Sequence, residues 1–506
     1  MYSEKALKNT VYNIFSMIIT AVATFIVRTV FVKYLGEEIL GVNATIVDTV
    51  TLLTMSEMGI QTAIIYKMYK PIIDGDIERQ CVLFNLYKKA YRIVALIILA
   101  FGLVLLPFIP YIIKTEIAIQ TVYTAYILQL LLVVITYLVS YYKIVLLSHQ
   151  KQYIYTRFEV VVNVISSILK YISIVIFHSY MLYLLTGYIS LFLNTVFIIY
   201  ETKKSYSSII DKSDVPKEDF FGMLTDLKKM VIITISGYVY GSTDNILIST
   251  FFGSTLVGLI SNYKMITTMI KNLVVSYISS SVAPSWGSFL NSHPSKTTIQ
   301  EKYSLFTFIE FALCSVFLLP TWLLIDDFVV LWIGNQYKIS SLIIGLIIMD
   351  IFMTSLSEPN AVIIRNKGLF SQENKASLLA MVINIIASIG LALNVGVSGI
   401  FIGTIMADII YMIIRSISVN NDCFSSNKYI LAQYYLDYLF YLLYFVIAYL
   451  AINSIFENIF ISVSITSFLI KGLISELIII TTVTIFWFKT GKIKQIFELL
   501  KNGIKK

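Results

Sequence analysis

Fourteen separate stretches of this chain are apolar enough and long enough to cross a bilayer, and the lysines and arginines between them gather on alternate connections. A hydrocarbon core of about 30 Å needs roughly 20 apolar residues in a helix. Such spans are read near 11–33, 39–66, 91–113, 117–142, 158–178, 181–200, 230–251, 255–283, 303–326, 339–364, 376–395, 396–414, 431–453 and 463–488. The expected fold is therefore an all-α polytopic membrane protein of about 14 transmembrane helices. Composition agrees: 58% hydrophobic and 13% charged residues stand far from the roughly 25% charged of soluble domains.

Orientation follows from the cations, because loops rich in Lys and Arg are retained in the cytoplasm. With the N-terminus inside, external loops hold only Lys33, Lys114 and Lys338, and span interiors hold Arg28, Lys170, Lys264, Lys271 and Lys471; the remaining 30 of the 38 cations are cytoplasmic. Both termini are expected on the cytoplasmic side. The formal charge of +8 then reflects topology signals and anionic headgroups rather than nucleic acid. The first apolar run lacks a small-residue cleavage site and is expected to stay as an anchor. Cys81, Cys314 and Cys423 have no ligand spacing, and His149, His178 and His293 are scattered. That pattern argues against a disulfide framework, a metal centre or a cofactor site.

The polar segment from Glu201 to Lys229 divides the spans into six and eight, and the two blocks resemble each other. The turn after span 1 runs from Tyr34 through Gly36 to Gly41, and the turn after span 7 from Phe252 through Gly253 to Gly258, with four residues between the glycines in each. Asn163, Ile165, Ser167 and Ile168 of span 5 recur as Asn384, Ile386, Ser388 and Ile389 of span 11. The expected organisation is an N-lobe at 1–200 (spans 1–6), a cytoplasmic linker at 201–229, a C-lobe at 230–418 (spans 7–12), spans 13–14 at 419–490 and a basic amphipathic tail at 491–506. Six-span halves in the same order imply parallel repeats about an axis along the membrane normal, with a site between lobes near the midplane and alternating access to it. Spans 13 and 14 are expected to pack peripherally or to shape a lipid-facing groove. Asp214 to Leu224, with Pro216 in its first turn, reads as a helix on the membrane surface. The tail from Lys492 to Lys506 reads equally as a helix held by anionic lipid or as topology-retaining charge.

Ionisable residues inside spans carry the chemistry, because each costs about 2.5–3.5 kcal/mol when left facing lipid at the bilayer centre. Lys264 and Lys271 of span 8 are seven residues apart and share a helix face, with Thr267 and Thr268 between them and Ser261 one turn before. Lys264 lies roughly 14 Å from the external end and either lines a cavity or pairs with an acid such as Asp244. Arg28 of span 1 faces a cavity or reaches the external headgroups. Lys170 and Lys471 are expected to snorkel to a headgroup region. The acids are Asp48, Glu57, Asp244, Glu310, Asp350, Glu358, Asp408, Asp437 and Glu476. Of these, Asp48 and Asp350 are deep enough to couple to a cation, or else pair structurally or stay neutral. Glu358-Pro359-Asn360 breaks or kinks its helix, because Pro removes a backbone donor. Tyr238, Tyr240 and Tyr263 are close to the polar stripe of span 8 and offer rings for stacking on sugars; the tyrosines at span ends read as interfacial belts.

Three runs carry a family resemblance: Glu57 to Pro71, with Gly59 and Ala63; Thr243-Asp244-Asn245 followed by Val257-Gly258 and Ser261-Asn262-Tyr263; and Asn384 to Thr404, with Gly396, Gly399 and Gly403. In this order the chain resembles bacterial polysaccharide repeat-unit flippases, the Wzx-type branch of the multidrug, oligosaccharidyl-lipid and polysaccharide exporter superfamily. The resemblance implies a MATE-like, V-shaped pair of six-helix lobes in the bacterial plasma membrane. It also implies movement of an undecaprenyl-pyrophosphate-linked oligosaccharide from inner to outer leaflet, with membrane lipids, and the polymerase and chain-length machinery, as partners. Arg28, Lys264, Lys271, Asn245, Asn262 and Tyr263 would meet the substrate, and Asp48, Glu57, Asp244, Asp350 and Glu358 would serve as cavity or coupling acids. Cation-coupled drug exporters of the same superfamily are the alternative; they rely on carboxylates in the first lobe, whereas span 1 here carries Arg28 and no acid. A membrane-embedded glycosyltransferase or polymerase would need a large external loop with acid or base residues, and the external loops here are short.

Overall fold

Inside lipid only helices and closed barrels satisfy every backbone N–H and C=O, and the described residues of the computed structural model contain helices and no strand. The structure describes residues 2–54, 65, 67–149, 151–210, 215–222, 243–272, 283, 286–290, 292, 294–460, 462–488 and 491, with side chains from Met17 onward except that of Gln152. Among them, eleven helices are long and apolar enough to cross a membrane. Ten coincide with the expected spans 3–6 and 9–14, and the eleventh, Met17–Leu53, covers span 1 and the first half of span 2. The protein is an all-α, multi-pass membrane protein. The rest of span 2 and parts of spans 7 and 8 lie outside the described residues, as do Glu57, Tyr238, Tyr240, His293 and the tail Lys492–Lys506.

The chain divides into two compact units, Met1–Gly258 and Leu259–Lys506. Unit one contains α1 (Tyr2–Leu53), α2 (Ile77–Leu105), α3 (Ile119–Ser148), α4 (Gln152–Val175), α5 (Tyr180–Tyr206), a helical stretch at 243–252 and the first turn of α6 (Ser254–Lys271). α1 packs on α4, α4 on α5, and α3 on both α2 and α5. The long α1 bends at Gly36, where φ is 84° and ψ 170°, a region open essentially to glycine alone. Gly253 also has a positive φ, 92°. The second glycine of each turn meets the other segment: a Cβ on Gly41 would stand 1.7 Å from the Ser254 carbonyl oxygen, and one on Gly258 1.9 Å from that of Glu37. The repeated glycine pair thus builds one backbone-to-backbone crossing. Its surroundings are pinned by the Glu38 carboxylate, which accepts from the Thr115 hydroxyl and the Glu116 N–H, both at 2.6 Å.

The segment expected on the membrane surface is described over 215–222, with 217–222 helical. The Arg79 guanidinium donates to both oxygens of Asp219 at 2.6 and 2.9 Å. This hydrogen bonding holds the Asp219 carboxyl below the usual carboxylate range. Asp76 caps α2 by accepting the Arg79 N–H at 2.8 Å, so the start of α2 both orients Arg79 and ties down the segment.

Unit two contains the rest of α6, then α7 (Lys296–Trp332), α8 (Ser341–Leu356), α9 (Glu358–Lys367), α10 (Phe370–Val395), α11 (Val397–Phe424), α12 (Lys428–Ile459) and α13 (Ile465–Phe488). α10 and α11 form a close hairpin. Gly396 makes its turn at φ 76° and ψ −153°, and Cβ atoms on Gly399 and Gly403 would stand 2.3 Å from the Leu391 carbonyl carbon and 2.5 Å from the Ser388 nitrogen. Small residues four apart let two backbones approach this closely. The approach brings the Asn384 amide onto the Thr404 hydroxyl at 3.0 Å and the Ser388 hydroxyl onto the Ile400 carbonyl at 3.0 Å.

α12 and α13 dock on α7 through aromatic rings. Phe311 stacks on Tyr441 with centroids 4.2 Å apart and meets Trp487 at 4.7 Å, and Trp322 stacks on Tyr449 at 3.8 Å. The opposite face of α12 exposes Leu436, Leu439, Phe440, Leu443, Ile447 and Leu450, the helical spacing of a stripe turned to lipid.

Of the two lysines expected to snorkel, Lys471 turns inward to an acid instead. Lys471 is 9% exposed and its ammonium lies 2.6 Å from Asp327 of α7. Lys170 sits over the Tyr183 ring at 5.4 Å. Snorkelling needs a free path to the interface, and a carboxylate at the helix surface is a nearer partner. Breaking a buried pair strands a charge, at a cost of about 3–5 kcal/mol. Asp327→Asn is therefore expected to lower the melting temperature in detergent sharply, and the double change Asp327→Leu, Lys471→Leu to restore most of the loss.

Candidate functional site

Seven residues are nearly two helical turns, so Lys264 and Lys271 of α6 point the same way, roughly 10 Å apart along the axis. Both are half-buried, whereas Asn262 and Tyr263 are fully enclosed and Thr267 is 1% exposed. The Thr267 hydroxyl turns back to the Tyr263 and Lys264 carbonyls at 3.1 and 3.2 Å. Tyr263 donates to Asp326 at 2.8 Å, so its ring packs inside unit two and is not presented for stacking in this conformation. Lys264 holds its ammonium 5.2 Å from the Phe401 ring centroid, a cation–π contact. Lys271 reaches the Thr354 hydroxyl of α8 at 3.5 Å.

That contact joins the second cation to α8, one turn before the helix breaks. Thr354 donates to the Asp350 carbonyl at 2.9 Å, and Asp350 is half-buried one turn earlier. The helix breaks at Ser357, immediately before Glu358 and Pro359. Glu358 accepts from Arg365 at 2.5 Å. Asn360, fully buried, accepts from Tyr303 at 2.6 Å and donates to the Tyr434 hydroxyl at 3.0 Å. The break is thus locked to α7 and α12.

In unit one, Asn245 donates to the Asp48 carboxylate at 2.7 Å across 197 residues of sequence. Asp244 is 9% exposed. Arg28 is half-buried on α1 and shares the neighbourhood of Tyr183 with Lys170. Tyr183 packs edge-on to Phe31 at 5.0 Å, and Tyr180 donates to the Asn43 side chain at 3.1 Å.

The named residues therefore fall into two sets, Arg28, Asp48, Asp244 and Asn245 in unit one and Asn262, Tyr263, Lys264, Lys271, Asp350 and Glu358 in unit two. The unit-two set holds two cations of α6 with hydroxyl and carboxyl side chains nearby in the sequence of α6, α8 and α9, whereas the unit-one set holds one cation, Arg28, and an amide-to-carboxylate hydrogen bond between Asn245 and Asp48. Sequence reasoning missed the Asn360 lock and the pairing of Arg415 with Glu373 and Tyr411. Arg415 reads as an end-of-span retention charge, yet its side chain is only 12% exposed. An Asn directly after a helix-breaking Pro was the available signal for the first; the second has none in the local pattern.

The fold has solved relatives. The Lipid II flippase MurJ, in an inward closed conformation, is similar at a TM-score of 0.69 and 15% identity, covering 95% of this chain and 99% of its own. The eukaryotic MATE transporter AtDTX14 is similar at 0.57 and 13% identity, covering 86% and 98%. The Vibrio cholerae MATE transporter VcmN, in its bent form, is similar at 0.52 and 13% identity, covering 86% and 98%. At these identities what is shared is the fold. No curated protein matches the sequence. The family described as "Polysaccharide biosynthesis protein" matches residues 6–289, more than half of the chain. The chain belongs to this polysaccharide biosynthesis protein family.

Proposed function

We propose that the protein is a transporter, not an enzyme, which carries undecaprenyl-pyrophosphate-linked oligosaccharide repeat units from the cytoplasmic to the outer leaflet of a bacterial plasma membrane. It works by alternating access, and its product feeds capsule, O-antigen or exopolysaccharide synthesis. The observation that carries this reading is the pair Lys264 and Lys271, half-buried on one face of α6 together with Ser261, Thr267 and Thr268. Cations are expensive in lipid and are offset by an anionic guest such as a pyrophosphate. Membership of a polysaccharide biosynthesis family supports a polysaccharide precursor as the cargo. The similarity in fold to a lipid II flippase supports a lipid-borne cargo. In this reading Arg28 adds a cation, Asn245, Asn262 and Tyr263 support the substrate site, and Asp48, Glu57, Asp244, Asp350 and Glu358 set its charge.

The test is binding to the purified protein. Undecaprenyl pyrophosphate is expected to bind at least tenfold more tightly than undecaprenol, and Lys264→Ala with Lys271→Ala to abolish the difference. Equal affinity for the two polyprenyl compounds, with tight binding of small organic cations, would transfer the assignment to a drug exporter of the same fold.

A further inference from the structure

A cavity of about 300 Å³ opens within unit one between α3 and α5, and none of the candidate site residues line it. The two helices run in register. Tyr188 donates to the Leu128 carbonyl at 2.5 Å and Thr202 to that of Tyr142 at 3.4 Å, a constant offset of 60 residues. The cavity lining spans Leu132 to Leu147 on α3, so the slot is roughly 22 Å long.

Its lining changes along that length. Lys143 and Tyr155 stand toward one end, with Ile144 and Leu147 beside and beyond them, Ser140, Thr136, Asn194 and Thr195 in the middle among Val139 and Ile198, and Leu132, Gly187 and Leu191 at the other end. The Lys143 ammonium lies 4.2 Å from the Tyr155 ring centroid, and Tyr155 donates to Glu159 at 3.0 Å, which fixes the ring. Among the described residues Lys143 forms no ion pair within 4.0 Å. The hydroxyls of Thr136 and Ser140 are turned back onto their own helix at 2.8 Å. Asn194 Oδ1 is buried with no donor among the described residues, so the middle of the slot suits a hydrogen-bonding guest or water rather than bare hydrocarbon. Gly187 leaves open the space in which its Cβ would meet Leu132 at 3.0 Å.

The surroundings identify the medium. Leu131, Ile135 and Leu138 on α3, and Ile189, Phe192 and Val196 on α5, are exposed at the spacing of lipid-facing stripes. At the Lys143 end, Lys151 and Lys204 lie over the rings of Tyr206 and Tyr200 at 4.9 and 5.8 Å, an arrangement of aromatic and cationic residues typical of the interface.

We propose that this slot binds one anionic phospholipid. Its phosphate meets Lys143, its glycerol-ester region lies beside Ser140, Thr136 and Asn194, and one acyl chain runs past Leu191 to Leu132. The volume holds roughly ten groups of about 30 Å³ each, the share of one water in the liquid and close to that of a methylene. A slot of that size takes a glycerol-ester region and the upper part of a chain. A basic pocket between helices near the membrane surface recognises a headgroup, and the order of Lys143, then the hydroxyl and amide side chains, then Leu191 and Leu132 matches the order of groups in a phospholipid. The site is independent of the cargo reading.

The experiment is native mass spectrometry of the full-length protein released from nanodiscs of phosphatidylglycerol and phosphatidylcholine in equal amounts. Wild type is expected to retain phosphatidylglycerol at least fivefold over phosphatidylcholine. Lys143→Gln is expected to lose the preference, and Thr195→Phe, which fills the slot, to lose the retained lipid. Lys151→Ala, away from the lining, is expected to behave as wild type. Monodispersity and an unchanged melting temperature in lipid-free detergent show that the variants are folded; should Lys143→Gln fail this check, Thr195→Phe alone decides. Unaltered retention in the folded slot variants, or equal retention of both lipids by wild type, would overturn the proposal.

Discussion

Gly258→Val is expected to yield almost no monodisperse protein on detergent extraction. A Cβ at this position would lie 1.9 Å from the Glu37 carbonyl oxygen, where no side-chain rotation relieves the clash because both atoms are fixed to backbone. Overpacking typically costs 1–3 kcal/mol; parting two helical segments is expected to reach about 3 kcal/mol or more. Total stabilities are only about 5–15 kcal/mol. Gly41→Val should act alike through the Ser254 carbonyl, 1.7 Å from a Cβ on Gly41. Gly36→Ala should be milder, about 1–3 kcal/mol, since it meets backbone strain alone. Wild-type yields of Gly258→Val would mean that the crossing is not tight.

Lys264→Ala is expected to lower the rate of leaflet translocation at least tenfold with folded protein unchanged. A hydrogen bond to a charged group contributes about 1.5–3 kcal/mol, and each 1.4 kcal/mol is tenfold in affinity. Because the ammonium also lies 5.2 Å from the Phe401 ring centroid, Lys264→Met is the sharper test: it keeps an apolar stem against the ring and removes only the charge. Lys264→Arg should retain part of the rate. Normal translocation by well-folded Lys264→Met would remove Lys264 from the substrate site.

Helices were legible because hydropathy accumulates over some twenty residues and tolerates local exceptions; ten expected spans recur as observed helices. The repeated glycine pairs were legible as a pattern, but not as two halves of one crossing, since sequence does not say which segments meet. Partners stayed hidden for the same reason. Asp327 and Lys471 are 144 residues apart, and Asp48 and Asn245 are 197 apart. Snorkelling is the natural reading of Lys471 until the neighbouring helix is known. Tyr263 was noticed for its ring, yet its position between Asn262 and Lys264 says nothing about Asp326, which accepts the hydrogen bond from its hydroxyl. The cations of α6 were legible because charge inside an apolar run is costly whatever its neighbours.

The most direct test is leaflet translocation in liposomes containing the purified protein and an undecaprenyl-pyrophosphate oligosaccharide, which an enzyme outside can modify only after it has crossed. The account predicts protein-dependent exposure of the glycan that is at least tenfold slower with Lys264→Ala. No exposure by folded wild-type protein, across a panel of glycans on this carrier, would contradict it.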